Sequence, residues 1–178
     1  MTQYALFETS LGWFALAWRD DGLTAVHLPT SDREAARRGL LRRQPGAEEA
    51  PPPTWAAGVI TDVESLLAGG KPDFAGAPID LTQVPEFHAR VYEIARAIPP
   101  GETLTYGQVA ERLGDKTLAR AVGQALGRNP WPIVVPCHRI TAANGKLGGF
   151  TAPGGSATKQ KLLAIEGAKA AGEPGLFG

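Results

Sequence analysis

The chain has 178 residues, 43% of them hydrophobic, and a formal net charge of zero at pH 7. This composition is typical of a globular protein with one large or two small domains. Zero net charge argues against strong nonspecific binding to nucleic acid. No apolar run approaches the roughly 20 residues that a membrane helix needs, so no membrane partner is expected. The single cysteine and the absence of a signal-peptide pattern predict a reducing cytoplasm.

The charges are divided unevenly along the chain. Residues 1–85 hold 7 basic and 11 acidic residues, a net charge of −4, whereas residues 86–178 hold 11 basic and 7 acidic residues, a net charge of +4. A modest positive field on the second half suits a polyanion such as DNA. An imbalance of four charges is at least as typical of ordinary surface variation, so charge alone leaves both interpretations open.

The first part of the chain, residues 1–82, predicts a small α/β domain. Three apolar stretches separated by glycine-containing turns predict an antiparallel meander, with strands at 4–7, 13–18 and 23–28 and turns at 10–12 and 20–22. One further short strand is expected near 78–81. Residues 44–53 are rich in Pro, Gly, Ala and Glu and are expected to form an exposed loop.

Two helices are expected in the same domain. Ser31 is predicted to begin the first, because Glu34 follows three residues later as in a capping box. The second is expected over 55–67 and stops before a pair of glycines.

The second part, residues 83–170, predicts mainly helices, and residues 171–178 predict a flexible tail. Apolar residues at helical spacing indicate a helix over 86–98. Thr105, with Gln108 in a capping box, is expected to begin a helix over 106–113. A turn with a glycine then leads to another helix over about 117–126. The two helices and this turn give the helix-turn-helix pattern.

The second of these two helices has small side chains over most of its surface. Ala119, Ala121 and Gly123 alternate with larger residues, and Arg120 is the only charge on its body. A smooth helix lets its backbone approach a partner surface, with Arg120 reaching a phosphate or the base stack. Small residues also permit close helix packing inside a domain, and both uses are compatible on opposite faces.

Cys137 is the only cysteine, and it lies in the sequence Pro-Cys-His-Arg after a short apolar segment, 133–135, that predicts a buried strand. A lone thiol excludes an internal disulfide and a thiolate-rich zinc site, so no metal is expected. The thiol is therefore either reactive or inert and buried. Two potential cations follow it, His138 and Arg139, and favour its ionised form.

A thiol used as a nucleophile requires a base or a positive neighbour. His138 is the candidate base, acting directly or through a water, and a carboxylate would have to orient its other ring nitrogen. Glu166 is in a suitable place, although spacing alone does not separate it from Glu102 or Glu111.

Five motifs in this half of the chain carry a specific resemblance. They are Thr105–Ala110, Ala119–Gly123, Arg128–Pro130, Ile133–Arg139 and Lys161–Gly167. In this order and with near-matching spacing, over roughly 87–167, they resemble the O6-alkylguanine-DNA alkyltransferases, also called methylated-DNA–protein-cysteine methyltransferases. The first 80 residues resemble that family only in general layout.

The resemblance implies a fold and a function. The first domain would be ribonuclease H-like and the second winged-helix-like. The protein would bind duplex DNA by the minor groove, flip out an O6-alkylguanine and transfer the alkyl group irreversibly to Cys137, with O4-alkylthymine as a second candidate substrate. It would act once, as a monomer, with no cofactor and no obligate protein partner, in the cytoplasm and on the nucleoid during repair.

The resemblance also implies roles for particular residues. The expected catalytic residues are Cys137, His138, Glu166, Asn129 and Tyr106. The expected DNA-binding residues are Arg120, Ala119, Ala121, Gly123, Arg128 and Arg139. The expected substrate-binding residues are Tyr106, Val135, Ile140, Phe150 and Thr151, with backbone carbonyls reading the guanine amino group. Phe150 stands where many members have tyrosine, and the loop that follows it is about two residues longer than in several relatives.

Three alternatives remain at this point. A lesion-recognition protein of the same fold flips the base but lacks the cysteine, which Cys137 argues against. A cysteine hydrolase would use Cys137, His138 and Glu166 as a triad and would also need an oxyanion hole. A helix-turn-helix regulator with an inert cysteine would leave the segment from Pro136 to Gly155 without a use.

Overall fold

The computed structural model describes residues 1–143 and 155–168. The chain forms two compact units, which are residues 1–83 with 130–134, and residues 84–129 with 135–143 and 155–168. One segment of the predicted second domain, 130–134, therefore belongs by its contacts to the first unit. Among the described residues, no helix has both the length and the apolar character to cross a bilayer.

The first unit contains a four-stranded sheet. Its strands are β1 (Gln3–Thr9), β2 (Gly12–Arg19), β3 (Gly22–Thr30) and β4 (Glu48–Glu49), in the order β3-β2-β1-β4. The predicted antiparallel meander is confirmed for β1 to β3. The sheet as a whole is mixed, because β4 pairs in parallel with β1. The sequence missed β4, since two glutamates in a Pro/Ala-rich stretch carry no strand signal.

The first hairpin depends on a glycine. Gly12 has φ +123°, and a Cβ there would lie 2.5 Å from the carbonyl oxygen of Thr30. Only glycine adopts that backbone without strain. Thr9 fixes the turn, because its Oγ1 donates to the Gly12 carbonyl at 2.9 Å and accepts from the Leu11 N–H at 3.1 Å.

The two helices of this unit are α1 (Arg33–Arg43) and α2 (Thr54–Leu67). The predicted cap of α1 was wrong by one residue. Asp32 caps the helix, its carboxylate accepting from the Ala35 N–H at 2.7 Å, because β3 continues to Thr30 and the chain bends before the helix begins. Residues 78–81 do not form a strand; Ile79 makes one isolated bridge to Leu23.

The core of this unit lies under a sheet face made of small residues. Ala15, Ala17 and Ala25 are buried together with Leu40 of α1 and Tyr4. Alanines on the sheet let the α1 backbone come close, so Leu40 fills the space that larger strand residues would occupy. The outer edge of β3 is covered, because the Val26 N–H donates to the Pro130 carbonyl at 2.9 Å.

The second unit is mainly helical, as the sequence predicted. It contains α3 (Glu86–Arg96), α4 (Tyr106–Arg112), α5 (Ala119–Gly127) and α6 (Gly155–Glu166), with short strands β5 (Leu104–Thr105) and β6 (Ile140–Thr141) paired in parallel. The predicted capping box is confirmed: the Gln108 N–H donates to Thr105 Oγ1 at 3.0 Å, and Gln108 Oε1 accepts from the Thr105 N–H at 2.8 Å. A short 3-10 turn, Lys116–Leu118, precedes α5 and delays its start relative to the prediction.

Candidate functional site

Cys137 sits at the start of a tight 3-10 turn, Cys137–Arg139. Its N–H donates to the Val135 carbonyl at 2.7 Å, and the Asn129 side-chain amide donates to the same carbonyl at 2.8 Å. The predicted strand at 133–135 was wrong: these residues are buried, but they form a turn in which Ile133 has φ +77°. A β-branched residue in that region is strained. The consequence is a sharply folded loop that holds Cys137 inside the protein, only 5% exposed.

The thiol is protonated at rest. Burial raises the pKa of Cys137, and the hydrogen bond with Asn129 and the charge of Lys159 act in the opposite direction. The sequence-based expectation of an ionised thiol beside two cations was therefore wrong. Burial opposes the charged form, and neither sequence neighbour is a free cation. A proton has to leave this thiol before it can attack.

His138 follows Cys137 and is completely buried. Its Nε2 lies 2.8 Å from Glu166 Oε2. Burial lowers the pKa of His138, although Glu166 acts to raise it. The imidazole is therefore neutral. Since an ionised carboxylate only accepts, Nε2 carries the proton and Nδ1 carries the lone pair. Among the described residues, Nδ1 has no hydrogen-bond partner, so its lone pair is available to accept a proton.

Of the three candidate carboxylates, Glu166 is the one that orients His138, and Glu102 and Glu111 do not bind it. Arg139 also binds Glu166, with Nε at 3.0 Å from Oε1 and Nη2 at 2.8 Å from Oε2. Burial alone would raise the pKa of Glu166, but the hydrogen bonds from His138 and Arg139 and the positive charge of Arg139 lower it to about 2. The carboxylate stays ionised and fixes the imidazole tautomer.

Arg139, which was predicted to bind DNA, has its side chain buried inside the protein. Its side chain is only 4% exposed, and its third nitrogen, Nη1, donates to the Ile98 carbonyl at 2.7 Å. The guanidinium is therefore fully used by groups inside the protein. Its place after His138 on a short turn directs it inward, towards the end of α6.

Tyr106 reaches the same site from the start of α4. The parallel pairing of Leu104 with Ile140 brings that helix beside the loop of the cysteine. Burial raises the pKa of Tyr106, and the charge of the Cys137 thiolate raises it further. The phenol thus keeps its proton and is a donor. Gly123 of α5 faces this ring, since a Cβ on it would lie 3.9 Å from Tyr106 Cε1.

The predicted substrate-binding carbonyls are already in use. The Ile140 carbonyl accepts from Lys159 Nζ at 2.8 Å, and the Val135 carbonyl accepts the two hydrogen bonds described above. A carbonyl oxygen has two lone pairs, so the two hydrogen bonds to Val135 occupy both of its own. Phe150 and Thr151, also predicted to bind substrate, lie outside the described residues.

The outer face of α5 carries the predicted DNA contacts. Arg120 and Arg128 are exposed, and Ala119 and Ala121 are partly exposed. Gln124, which the sequence analysis passed over, is exposed between the two arginines. The opposite face of α5 is buried, where the Tyr92 hydroxyl donates to the Ala125 carbonyl at 2.7 Å.

Comparisons with known proteins show the family to which the chain belongs. Residues 86–168 match the family model described as 6-O-methylguanine DNA methyltransferase, DNA binding domain. A methylated-DNA–protein-cysteine methyltransferase of Mycolicibacterium paratuberculosis is 38% identical, over 93% of both chains. The chain belongs to the methylated-DNA–protein-cysteine methyltransferase family.

Two further relatives of this family link it to DNA. A protein of Thermus thermophilus named DNA base-flipping protein is 40% identical over 72% of this chain and 82% of its own. The crystal structure of Mycobacterium tuberculosis OGT in complex with DNA has a TM-score of 0.75 at 29% identity, and the match covers 94% of this chain and 96% of that chain.

Lys159 is a functional residue that the sequence reasoning missed. It is 2% exposed, and burial lowers its pKa while the Cys137 thiolate raises it. It lies three and four residues before Leu162 and Leu163, which are both buried. Helical spacing could therefore have placed it on the inner face of α6. This lysine, and not the cations next to Cys137 in sequence, supplies positive charge near the sulfur.

We expect Lys159→Met to raise the pKa of Cys137 and to slow thiol alkylation several-fold at neutral pH, because the buried counter-charge is lost. The change should cost about 1 to 3 kcal/mol, because the Ile140 carbonyl loses the hydrogen bond from Lys159, and thermal unfolding checks that the variant is still folded. The measurement is the pH profile of iodoacetamide reaction at Cys137. Lys161→Met, at an exposed position of the same helix, is the matched control. An unshifted profile for Lys159→Met would contradict the electrostatic role.

Proposed function

We propose that this protein repairs O6-alkylguanine in duplex DNA by transferring the alkyl group once, irreversibly, to Cys137. The observation that carries the proposal is the buried thiol followed by a neutral histidine whose tautomer a buried carboxylate fixes. Membership of the methylated-DNA–protein-cysteine methyltransferase family supports the same reaction.

The protonation states define the steps. The Cys137 proton passes to His138 Nδ1, through a water molecule if the two side chains do not meet directly, and Glu166 stabilises the imidazolium that forms. The thiolate attacks the alkyl carbon of the flipped base in line with the bond to O6. The new carbon–sulfur bond forms as the carbon–oxygen bond breaks, and the electron pair leaves with the guanine.

The departing guanine needs a proton, and two groups are placed to help it. Tyr106 keeps its proton because burial and the neighbouring sulfur raise its pKa, so it can donate to the leaving base. The imidazolium of His138 holds the proton that the thiol released. The product is a thioether on Cys137, which has no route to hydrolysis here, so each molecule acts once.

The base has to leave the helix before Cys137 can reach it, because the thiol is buried. We propose that α4 and α5 act as a helix-turn-helix with α5 in the minor groove. Arg120 would fill the space left by the flipped base, Arg128 would contact phosphate, and Asn129 would hold the loop to Cys137. Small residues on α5 suit a narrow groove that bulky side chains would not enter.

The proposal also covers the fold type of each unit, the assembly state, the location and a second substrate. The first unit would be ribonuclease H-like and the second winged-helix-like. The protein would act as a monomer without an obligate protein partner, in the cytoplasm and on the nucleoid during repair. O4-alkylthymine would be a secondary substrate.

The test is a mass spectrum of the protein after incubation with a duplex that contains one O6-methylguanine. We expect a gain of one methylene on the peptide containing Cys137, and the reaction should stop at one equivalent. Lesion binding without a mass gain would instead indicate a lesion-recognition protein. Consumption of many equivalents would indicate a turnover enzyme such as a cysteine hydrolase.

A further inference from the structure

The outer face of α5 presents three long polar side chains in one row. Arg120, Gln124 and Arg128 are all exposed. Their spacing of four residues places Arg120 and Gln124 on one stripe of α5, and Arg128 caps the C-terminal end of the helix. Among the described residues, none of the three makes a hydrogen bond or an ion pair.

The three side chains differ in what they can recognise. An arginine only donates hydrogen bonds, whereas a glutamine amide both donates and accepts. The other residues of the predicted DNA face, Ala119, Ala121 and Gly123, have no polar side chain. Gln124 Oε1 is therefore the only side-chain acceptor on this part of the stripe.

That acceptor matches a specific feature of the minor groove. Adenine, thymine and cytosine all present acceptors there, and a G·C pair adds the guanine amino group as a donor. An arginine side chain has no acceptor, so it cannot accept a hydrogen bond from that group. A side-chain acceptor is what would distinguish G·C from A·T at this edge.

The distance along the helix fits base pairs close to the lesion. Four residues of helix rise about 6 Å, which is close to two base-pair steps of about 3.4 Å each. If Arg120 occupies the space of the flipped base, Gln124 lies within about two pairs of it.

We propose that Gln124 accepts a hydrogen bond from the amino group of a guanine beside the flipped nucleotide, so that lesions next to G·C pairs are repaired faster. This rests on the proposed function, because it requires α5 in the minor groove during alkyl transfer. It adds to that function a dependence on sequence context that the phosphate contacts cannot supply.

The experiment uses inosine, which is guanine without the amino group and leaves the major-groove edge unchanged. Single-turnover methyl transfer to the full-length protein is measured on duplexes in which inosine replaces guanine, one at a time, at the two pairs on either side of O6-methylguanine. We expect at least one replacement to slow the wild-type protein about three- to tenfold, as the loss of one neutral hydrogen bond implies. An inosine pair is weaker than the guanine pair that it replaces. It would therefore make flipping of the neighbouring lesion easier, which would speed repair and not slow it.

Gln124→Met keeps a good helix former of similar length and removes the amide. This variant should no longer be slowed by inosine, and it should react with free O6-benzylguanine at the wild-type rate. Gln160→Met, at an exposed glutamine of α6, should keep the wild-type preference.

Two results would overturn the inference while leaving the proposed function intact. The first is a wild-type protein that repairs all the duplexes at one rate. The second is a Gln124→Met variant that retains the inosine effect. Absence of methyl transfer from every duplex would overturn the proposed function itself, and this inference with it.

Discussion

Replacing Cys137 with alanine is expected to abolish alkyl transfer completely while DNA binding remains. The chain has no second cysteine, so no other thiolate can take the alkyl group. The exposed face of α5 does not include Cys137, which is buried. The measurement is the methyl content of a lesion duplex, together with the intact mass of the protein, after prolonged incubation.

Stability should change little in this variant, by about 1 kcal/mol as is typical of single substitutions, so loss of transfer would not reflect unfolding. Thermal unfolding and a gel-shift assay with the lesion duplex supply the controls. Methyl groups found on the Cys137→Ala protein would show that another residue is the nucleophile.

The second large effect is expected from Glu166→Gln, in both stability and rate. The carboxylate is 1% exposed and accepts from His138 and from two nitrogens of Arg139. Glutamine would leave the buried guanidinium without a counter-charge, which costs about 3 to 5 kcal/mol. It would also fail to stabilise the imidazolium, so transfer should slow by about 10² to 10⁴. Urea unfolding and single-turnover kinetics measure the two effects.

A second variant separates these effects. Arg139→Met combined with Glu166→Gln removes both buried charges, so it should recover much of the stability. It should not recover the rate, because His138 still lacks its carboxylate. Glu111→Gln, at an exposed ion pair with Lys116, is the control and should cost less than about 1 kcal/mol. A double variant that repairs at the wild-type rate would contradict the role of Glu166.

The same carboxylate makes stability depend on pH. The pKa of Glu166 falls from 4.5 to about 2 on folding, so its contribution is fully present above about pH 4.5. It is lost as the pH falls towards 2, and it corresponds to about 3 kcal/mol. The Glu166→Gln variant should lack this part of the acid transition.

Sequence signals predicted the structure correctly where the interactions that they imply lie within a few residues of each other. The capping box of Thr105 and Gln108 was predicted and is present, because its hydrogen bonds involve residues three apart. The three-strand meander was predicted from its turns. The strand at 133–135 was wrong, because an apolar run indicates burial but does not determine backbone conformation.

The sequence predicted which residues form the core of the candidate site, but it did not predict the charges around the thiol. His138 and Glu166 were both named, and the structure joins them at 2.8 Å. The direction of Arg139 was missed, because adjacent residues on a tight turn point to different sides. The contribution of Lys159 was missed as well, since it comes from a helix that begins some 18 residues after the cysteine.

The sequence by itself determined which groups are present: one thiol, the histidine beside it, and a helix with a smooth, singly charged body. It determined the helix boundaries to within a few residues, because caps and glycines act locally. Tertiary structure alone decided the protonation states. Burial of Cys137 and His138 keeps both uncharged, while hydrogen bonds from partners distant in sequence keep Glu166 ionised. Desolvation and pairing depend on which segments meet in space, and the linear order of residues does not contain that information.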